Sequence, residues 1–266
     1  TTEIYTLSLH DALPIWLDVA RYAESTGKDV NTAYPHAWRY RDYVIRSFNE
    51  DKPYARFIAE QLAGDEVANP DEETLVATGF CRNAPSNDDN MGNNKEQYRL
   101  DELDDVISTT STVFLGLTVG CARCHDHKTD PISSADYYSL LAVFNGTEKR
   151  GVPKPDESPK TKETVKLQAL IETKAKVPPT YLLRRGSLQN KGPEVPPAVP
   201  VVLTSEPVKF PQPEPDSKSS GRRRVLAEDH LADYGAPTLD PVRRVPIAAP
   251  VTFEMPSPAA NCSSLL

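Results

Sequence analysis

The sequence has no long apolar run. A membrane-spanning helix needs roughly 18 to 20 consecutive apolar residues, and no stretch approaches that length, so we expect no membrane span. Basic residues are not in excess either: 30 lysines and arginines face 38 aspartates and glutamates, which leaves a net charge of −8. Without a basic stripe we expect no nucleic-acid-binding surface. Four cysteines are too few for a disulfide scaffold in 266 residues.

The chemically reactive side chains are concentrated between Gly120 and Lys128. This stretch contains a C-x-x-C-H sequence formed by Cys121, Cys124 and His125. At this spacing two thiols can reach the two vinyl groups of a haem, and the histidine beside the second thioether is held against the iron. The pattern predicts covalently bound haem c, with the two cysteines as anchors and His125 as the proximal ligand.

Two other interpretations of this stretch stay open. Cysteine and histidine also bind zinc and iron, and His127 adds a second imidazole to the set. Four donors within seven residues do not close one tetrahedron, because the peptide between adjacent ligands is too short. A non-haem metal site would therefore need a donor from elsewhere, such as Cys81. A dithiol redox pair or a purely structural turn is the remaining interpretation.

The distal iron ligand is less clearly indicated. Met91 lies in a loop rich in asparagine and aspartate, and its thioether as sixth ligand would raise the reduction potential. His127 is only two residues from His125, so it does not reach the opposite face of the same ring. The sequence leaves Met91, His36, water or an empty position as the sixth ligand.

Apolar residues recur at helical spacing through most of the first 150 residues. The predicted helices are Trp16 to Ser25, Ala37 to Phe48, Tyr54 to Ala63, Asp71 to Gly79, Lys95 to Leu117, and one capped by Ser133 or Ser134 that ends at Asn145-Gly146. In the second helix we expect Trp38, Tyr40 and Val44 on the apolar face. The C-x-x-C-H is then in a loop between the last two helices of a mainly α-helical domain, residues 16–150.

Both ends of the chain differ in character from this domain. Residues 1–15 do not lead naturally into the helix at Trp16 and resemble a translated sequencing-adapter tail, so we expect them to be non-native. Beyond Arg150 lie 19 of the 25 prolines. Because proline lacks an N–H group and fixes φ, we expect a proline-rich extended region with little regular structure. Within it, residues 178–203 predict a small strand-containing unit or a strap across the helical domain.

Several of these segments together resemble the planctomycete cytochrome-C-like domain, a domain of otherwise unknown function in large exported bacterial proteins. The matching segments are WLDVARYAES, WRYRDYVIRSFNEDKPYARFIAEQLAGD, LVATGF, LDDVISTTSTVFLGLTVGCARCHDHKTDPIS and YYSLLAVFN. The resemblance covers residues 16–146 and implies a following carboxy-terminal domain, whose truncated start we expect within residues 151–228. The similarity stops after Glu228, which predicts a shifted reading frame and a disordered tail over residues 229–266.

The predicted function is electron transfer by a c-type haem domain of an exported multidomain protein, rather than catalysis by the domain alone. Such haem is attached outside the cytoplasm, so we expect a periplasmic or extracytoplasmic location. The expected partners are a redox protein or other domains of the same protein. The alternatives are a zinc or iron site, an interaction domain, or polysaccharide breakdown using acids such as Glu60 and Asp65, or those within residues 101–105.

Overall fold

Helices dominate the computed structural model, which describes residues 12–28, 31–86, 94–150, 168–173, 176–204, 206–212 and 217–231. The helices are α1 (residues 12–19), α2 (Trp38–Asn49), α3 (Tyr54–Ala63), α4 (Glu72–Ala77), α5 (Lys95–Thr110), α6 (Ser134–Phe144) and α7 (Arg222–Arg224). A π-helical turn, Ser111–Leu115, extends α5, and a second π-helical segment, Val225–Leu231, extends α7. About half of the described residues are helical and two small two-stranded sheets accompany them, which agrees with the predicted mainly α-helical class as far as helix content goes.

Side-chain caps explain where α4 and α6 begin. The carboxylate of Asp71 accepts a hydrogen bond from the N–H of Thr74 at 2.8 Å, and the Thr74 hydroxyl accepts one from the N–H of Asp71 at 3.0 Å. Ser133 and Asp136 form the same reciprocal pair at the start of α6. These caps satisfy N–H groups that have no partner within the helix. The predicted serine cap of α6 is therefore confirmed, at Ser133.

The serine and threonine run near the end of α5 loosens that helix. Its regular part gives way to the π-helical turn, which stops at Gly116, where φ is 65° and the backbone is left-handed. Within the run, the hydroxyl of Thr112 donates to the carbonyl of Ser108 at 2.8 Å. Hydroxyl side chains compete for backbone carbonyls in this way, which explains why the helix widens before it ends.

Two antiparallel strand pairs follow α6. They are β1 (Thr147–Arg150) with β2 (Ala169–Glu172), and β3 (Thr180–Leu183) with β4 (Lys191–Val195). The strand-containing unit predicted within residues 178–203 corresponds to β3 and β4. Residues 151–167 lie outside the described residues, so the prediction of little regular structure over the whole region beyond Arg150 stays a prediction. Pro193 is tolerated within β4 because both strands of a two-stranded sheet are edge strands, where a missing N–H need not break a ladder.

The hydrophobic core is built around α6. Every side chain from Tyr137 to Phe144 is buried, and α5, α7 and β3 pack against this helix. Aromatic rings fill the space between α1, α2 and α3: the centroids of Tyr43 and Phe57 are 5.9 Å apart, and that of Trp16 is 4.9 Å from Phe57. Removing this apolar surface from water is the main stabilising contribution to the fold.

The last described helix, α7, is tied to α3 by the buried Arg223. Its guanidinium donates to the two carboxylate oxygens of Asp65 at 2.9 and 2.8 Å and lies 2.8 Å from Glu66. The helical segment continues past Glu228 to Leu231, which is buried. Residues 232–266 lie outside the described residues, so the non-native tail predicted there stays a prediction.

The first helix begins earlier than the periodicity predicts. Helix α1 spans residues 12–19, whereas the apolar spacing predicts a helix from Trp16 to Ser25. Ser25 instead forms a β-bridge with Ala33, and Leu13 packs against the hydrophobic core. Residues 1–11 lie outside the described residues, so the adapter-tail prediction is untested there. Among the helices that the structure describes, none combines the length and the apolar character needed to cross a membrane.

Candidate functional site

The C-x-x-C-H begins in a short 3₁₀ turn, Gly120–Arg123, in the connection between α5 and α6. The N–H of Ala122 donates to the carbonyl of Val119 at 2.9 Å, and Ala122 is completely buried. This methyl group anchors the turn, whereas Cys121 and Cys124 on either side are both exposed. The turn therefore presents two accessible thiols, while the buried Ala122 fixes its backbone against the core.

Arg123 and Tyr138 fasten the turn to its two neighbouring helices. The guanidinium of Arg123 donates to Asp101 at 2.6 Å and to Asp104 at 3.2 Å, both on α5. The hydroxyl of Tyr138, on α6, donates to the carbonyl of Arg123 at 2.9 Å. Burial alone would lower the pKa of Arg123, but the two carboxylates outweigh it and the pKa is raised. A permanently charged clamp thus sets the position of the motif.

His125 is exposed, and its Nδ1 is hydrogen-bonded to the backbone. Its Nδ1 lies 2.7 Å from the backbone carbonyl oxygen of Asp126. A carbonyl oxygen can only accept, so Nδ1 must carry the proton and donate. In the neutral ring the lone pair is then on Nε2. Protein histidines that bind metals through Nε2 are commonly oriented by this kind of Nδ1–H bond.

His127 has the opposite arrangement. The backbone N–H of Asp130 donates to His127 Nδ1 at 2.9 Å, and the Asp130 carboxylate lies 3.3 Å from the same nitrogen. The N–H of His127 also donates to the carbonyl of Ile132 at 2.8 Å. These bonds close the loop that follows the motif. The geometry therefore supports a structural role for His127 and argues against its use as a metal ligand.

In the described ranges, no group of three or more histidine, cysteine or carboxylate side chains is placed to hold a metal ion, so the non-haem interpretation lacks a complete ligand set there. Cys81, the predicted additional donor, is buried, and its Sγ lies 3.7 Å from the carbonyl oxygen of Gln61. Burial raises the pKa of the Cys81 thiol to about 12. In the metal-free protein the thiol is therefore neutral and in contact with backbone inside the core. Met91 lies outside the described residues, so its distal role stays a prediction.

The β3–β4 hairpin covers one side of the motif. At its turn, a Cβ added to Gly186 would lie 3.0 Å from the Sγ of Cys124. Leu183, at the end of β3, accepts a 3.4 Å hydrogen bond from the same Tyr138 hydroxyl that holds the motif. The sequence suggested a strap across the helical domain but not its position. Gly186 and Cys124 are far apart in the chain, and no local pattern links them.

We expect Gly186→Ala to lower the free energy of unfolding more than Gly116→Ala does. Both glycines have a left-handed backbone conformation, with φ of 69° at Gly186 and 65° at Gly116. Alanine therefore incurs a similar backbone penalty of roughly 1–2 kcal/mol at each position. A Cβ at Gly116 would meet no atom within 4 Å, whereas at Gly186 it would press on Cys124. Urea denaturation of both variants measures the difference. Equal losses would show that the hairpin does not contact the thiol.

Iodoacetamide is expected to label Cys121 and Cys124 in haem-free protein while leaving Cys81 unmodified. A Cys81 pKa of about 12 keeps its thiol neutral across the usual labelling range. Because the pKa of the Cys81 thiol is higher in the folded than in the unfolded chain, the free energy of unfolding falls as the pH rises between these two values. This contribution is present in full below the unfolded thiol pKa of about 8.5 and is lost as the pH rises towards the folded pKa. Peptide mapping by mass spectrometry, with and without urea, measures the pattern. Labelling of folded Cys81 at the rate of Cys121 would contradict it.

The acids considered for polysaccharide hydrolysis are engaged in ion pairs instead. Glu60 is buried and lies 2.6 Å from Lys52 and 2.7 Å from Arg56. Asp65 pairs with Arg223. The acids of α5 are likewise used: Asp101 and Asp104 hold Arg123, Glu102 pairs with Lys149, and Asp105 pairs with Arg21. A general acid and base must be available to substrate, so this constellation does not support a glycosidase.

Comparison with known proteins places the motif within a described family. The family model of PSCyt2, a protein of unknown function (DUF1549), matches residues 11–149, which include α1 to α6 and the whole C-x-x-C-H. The match starts within the segment assigned to the non-native tail. Neither the curated proteins nor the solved structures contain a match to this chain.

Proposed function

The chain belongs to the PSCyt2 family of proteins of unknown function (DUF1549), and we propose that its family domain binds a covalent c-type haem and transfers electrons in an exported multidomain bacterial protein. Cys121 and Cys124 would form the thioether bonds, and His125 would be the proximal ligand. The observation that carries this proposal is the combination of two exposed thiols on one anchored turn with an exposed imidazole whose Nε2 lone pair is available.

The donor set fits the group. Thioether formation needs accessible thiols, and both motif cysteines are exposed, in contrast to Cys81 in the core. Iron coordination needs a neutral imidazole nitrogen, and the carbonyl of Asp126 directs the proton of His125 to Nδ1. The bound haem would supply a one-electron redox centre. The residues of the chain itself then hold the centre and set its surroundings.

The surroundings of the motif suit a rigid redox site. Arg123 ties the turn to α5, and Tyr138 ties it to α6 and to the β3–β4 hairpin. Electron transfer does not require the protein to rearrange, so a turn fastened on several sides favours it. Met91 remains our candidate for the distal ligand. We expect a redox protein or another domain of the full-length protein as partner, and a periplasmic or extracytoplasmic location.

A pyridine haemochrome spectrum tests this proposal directly. The full chain is exported to a bacterial periplasm with the haem-attachment machinery present, purified, and analysed for haem and for metals. We expect a c-type spectrum with one haem per chain that survives denaturation. If the protein is colourless and contains stoichiometric zinc, the haem proposal is wrong and the motif is a metal site. If it contains neither haem nor metal, the motif is a structural turn.

A further inference from the structure

Trp38 lies on the surface, although the helical periodicity predicts it on the apolar face of α2. Its side chain is 45% exposed, whereas Tyr40 and Val44 on the same helix are buried as predicted. Trp38 is the first residue of α2, directly after the preceding turn, where the helical periodicity has only begun. An exposed indole presents a flat apolar surface on which a ligand can stack.

The exposed indole borders a cavity of about 410 Å³ between α2 and α4. Trp38, Asp42 and Arg46 are spaced four residues apart, so they form one stripe along α2, about 12 Å long. The opposite wall is the start of α4, and the cavity is lined there by Asp71, Glu72, Glu73 and Val76. The cavity thus combines a flat aromatic surface at one end with polar groups on two facing walls.

The charged groups of this cavity already have partners. Arg39 lies 2.7 Å from Glu72, and Glu73 lies 3.5 Å from Lys52 and 3.9 Å from Arg46. The lining has four carboxylates and two guanidiniums, and the two additional acids are compensated from outside it, since Arg41 lies 3.4 Å from Asp42 and Lys52 pairs with Glu73. The cavity therefore offers fixed hydrogen-bond donors and acceptors whose charges are already paired. A cationic or anionic ligand would have to compete with these ion pairs. A neutral ligand that both donates and accepts hydrogen bonds meets no such penalty.

We propose that the cavity beside Trp38 binds a neutral oligosaccharide. A pyranose ring has one face of C–H groups, which stacks on an indole, and a rim of hydroxyls, each of which can donate and accept. The carboxylates and guanidiniums of α2 and α4 match such a rim, and a stripe of about 12 Å is longer than a single sugar ring, which favours a chain of sugars. This site is separate from the C-x-x-C-H and does not depend on haem.

Isothermal titration of the full chain with cellohexaose, xylohexaose and mannohexaose tests the proposal, with spermidine as the cationic probe. We expect at least one hexasaccharide to bind, and Trp38→Ala to weaken that binding at least about tenfold, as the loss of a central aromatic contact does elsewhere. The indole N–H resonance of Trp38 should shift on binding. That of Trp16, which is hydrogen-bonded to Tyr40 at 3.1 Å, should not.

Tyr54→Ala is the matched control, because Tyr54 is an aromatic residue of similar exposure, 40%, that does not line this cavity. It should leave saccharide binding unchanged. Circular dichroism verifies that each variant is folded, and Trp38→Phe retains a stacking surface and should recover part of the affinity. The proposal is overturned if no hexasaccharide binds, if spermidine alone binds, or if Trp38→Ala binds as well as the unaltered protein.

Discussion

Replacing Cys121 and Cys124 together by serine is expected to abolish covalent haem attachment completely. Serine has the size of cysteine but cannot form a thioether with a haem vinyl group. Both side chains are exposed, so the exchange should not disturb the core that holds Ala122 beneath them. After export with the attachment machinery present, haem staining of the denatured protein should fall from one haem per chain to none.

The matched control for this double variant is Cys81→Ser. Cys81 is free and buried, and it takes no part in the proposed site, so haem attachment should persist in every molecule that folds. His125→Ala tests the third proposed residue, because it removes the iron ligand but keeps both thiols. We expect it to retain some covalent haem with an altered spectrum. Haem that remains bound through denaturation in the cysteine double variant would refute the assigned anchors.

Replacing Arg223 by methionine is expected to lower the free energy of unfolding by about 3–5 kcal/mol, the usual cost of removing one partner from a buried ion-pair cluster. Arg223 is fully buried, and its guanidinium is the cation between Asp65 and Glu66. It also donates to the carbonyl of Leu62 at 3.1 Å. Methionine fills much of the same volume, so the loss reports charge and hydrogen bonding more than a cavity.

The size of this effect follows from the acids that would remain. Burial already raises the pKa of Glu66, and Arg223 opposes that shift. Without the guanidinium, Asp65 and Glu66 would be two neighbouring carboxylates in a buried site with no compensating cation from α7. One of the two carboxylates must then become protonated, or water must enter the core to solvate it. Either change destabilises the packing of α7 against α3.

Arg224→Met is the matched control, because the two arginines are adjacent in α7. Arg224 is half exposed, and its guanidinium lies 3.6 Å from Glu228 within the same helical segment. An exposed pair of this kind contributes little, so we expect a change below about 1 kcal/mol. Urea denaturation followed by circular dichroism measures both variants. If the two losses are alike, the buried cluster is not what holds α7 in place.

Local sequence patterns predicted the helices well. The helix predicted from Tyr54 to Ala63 is present with those bounds, and α2 is shifted by only one residue at each end. These results follow from interactions within a few residues: the spacing of apolar side chains, the caps of α4 and α6, and the glycine that ends α5. Beyond Arg150 the same reasoning indicated strands within residues 178–203 but not the pairing of β1 with β2, because strand pairing depends on residues that are distant in the chain.

The reactive residues of the motif were evident from their spacing, but their states were not. The spacing indicated His125 as the proximal ligand, but it did not show which ring nitrogen of His125 or of His127 would be hydrogen-bonded. The path of the loop decides that one ring meets a carbonyl and the other an N–H. Nor did any pattern indicate that Trp38 would be exposed, since the helical period places it with Tyr40 and Val44. The first turn of a helix can depart from that period when nothing packs over it.

The sequence by itself determined the helical class, the caps and the order of the thiols and imidazole, because each depends on neighbours along the chain. Only the tertiary structure decided that a hairpin lies against Cys124 and that Arg223 neutralises Asp65, 158 residues away. Such contacts form only when distant segments of the chain pack together in the folded core. Their partners are chosen by burial and charge compensation in three dimensions, which no short stretch of sequence encodes.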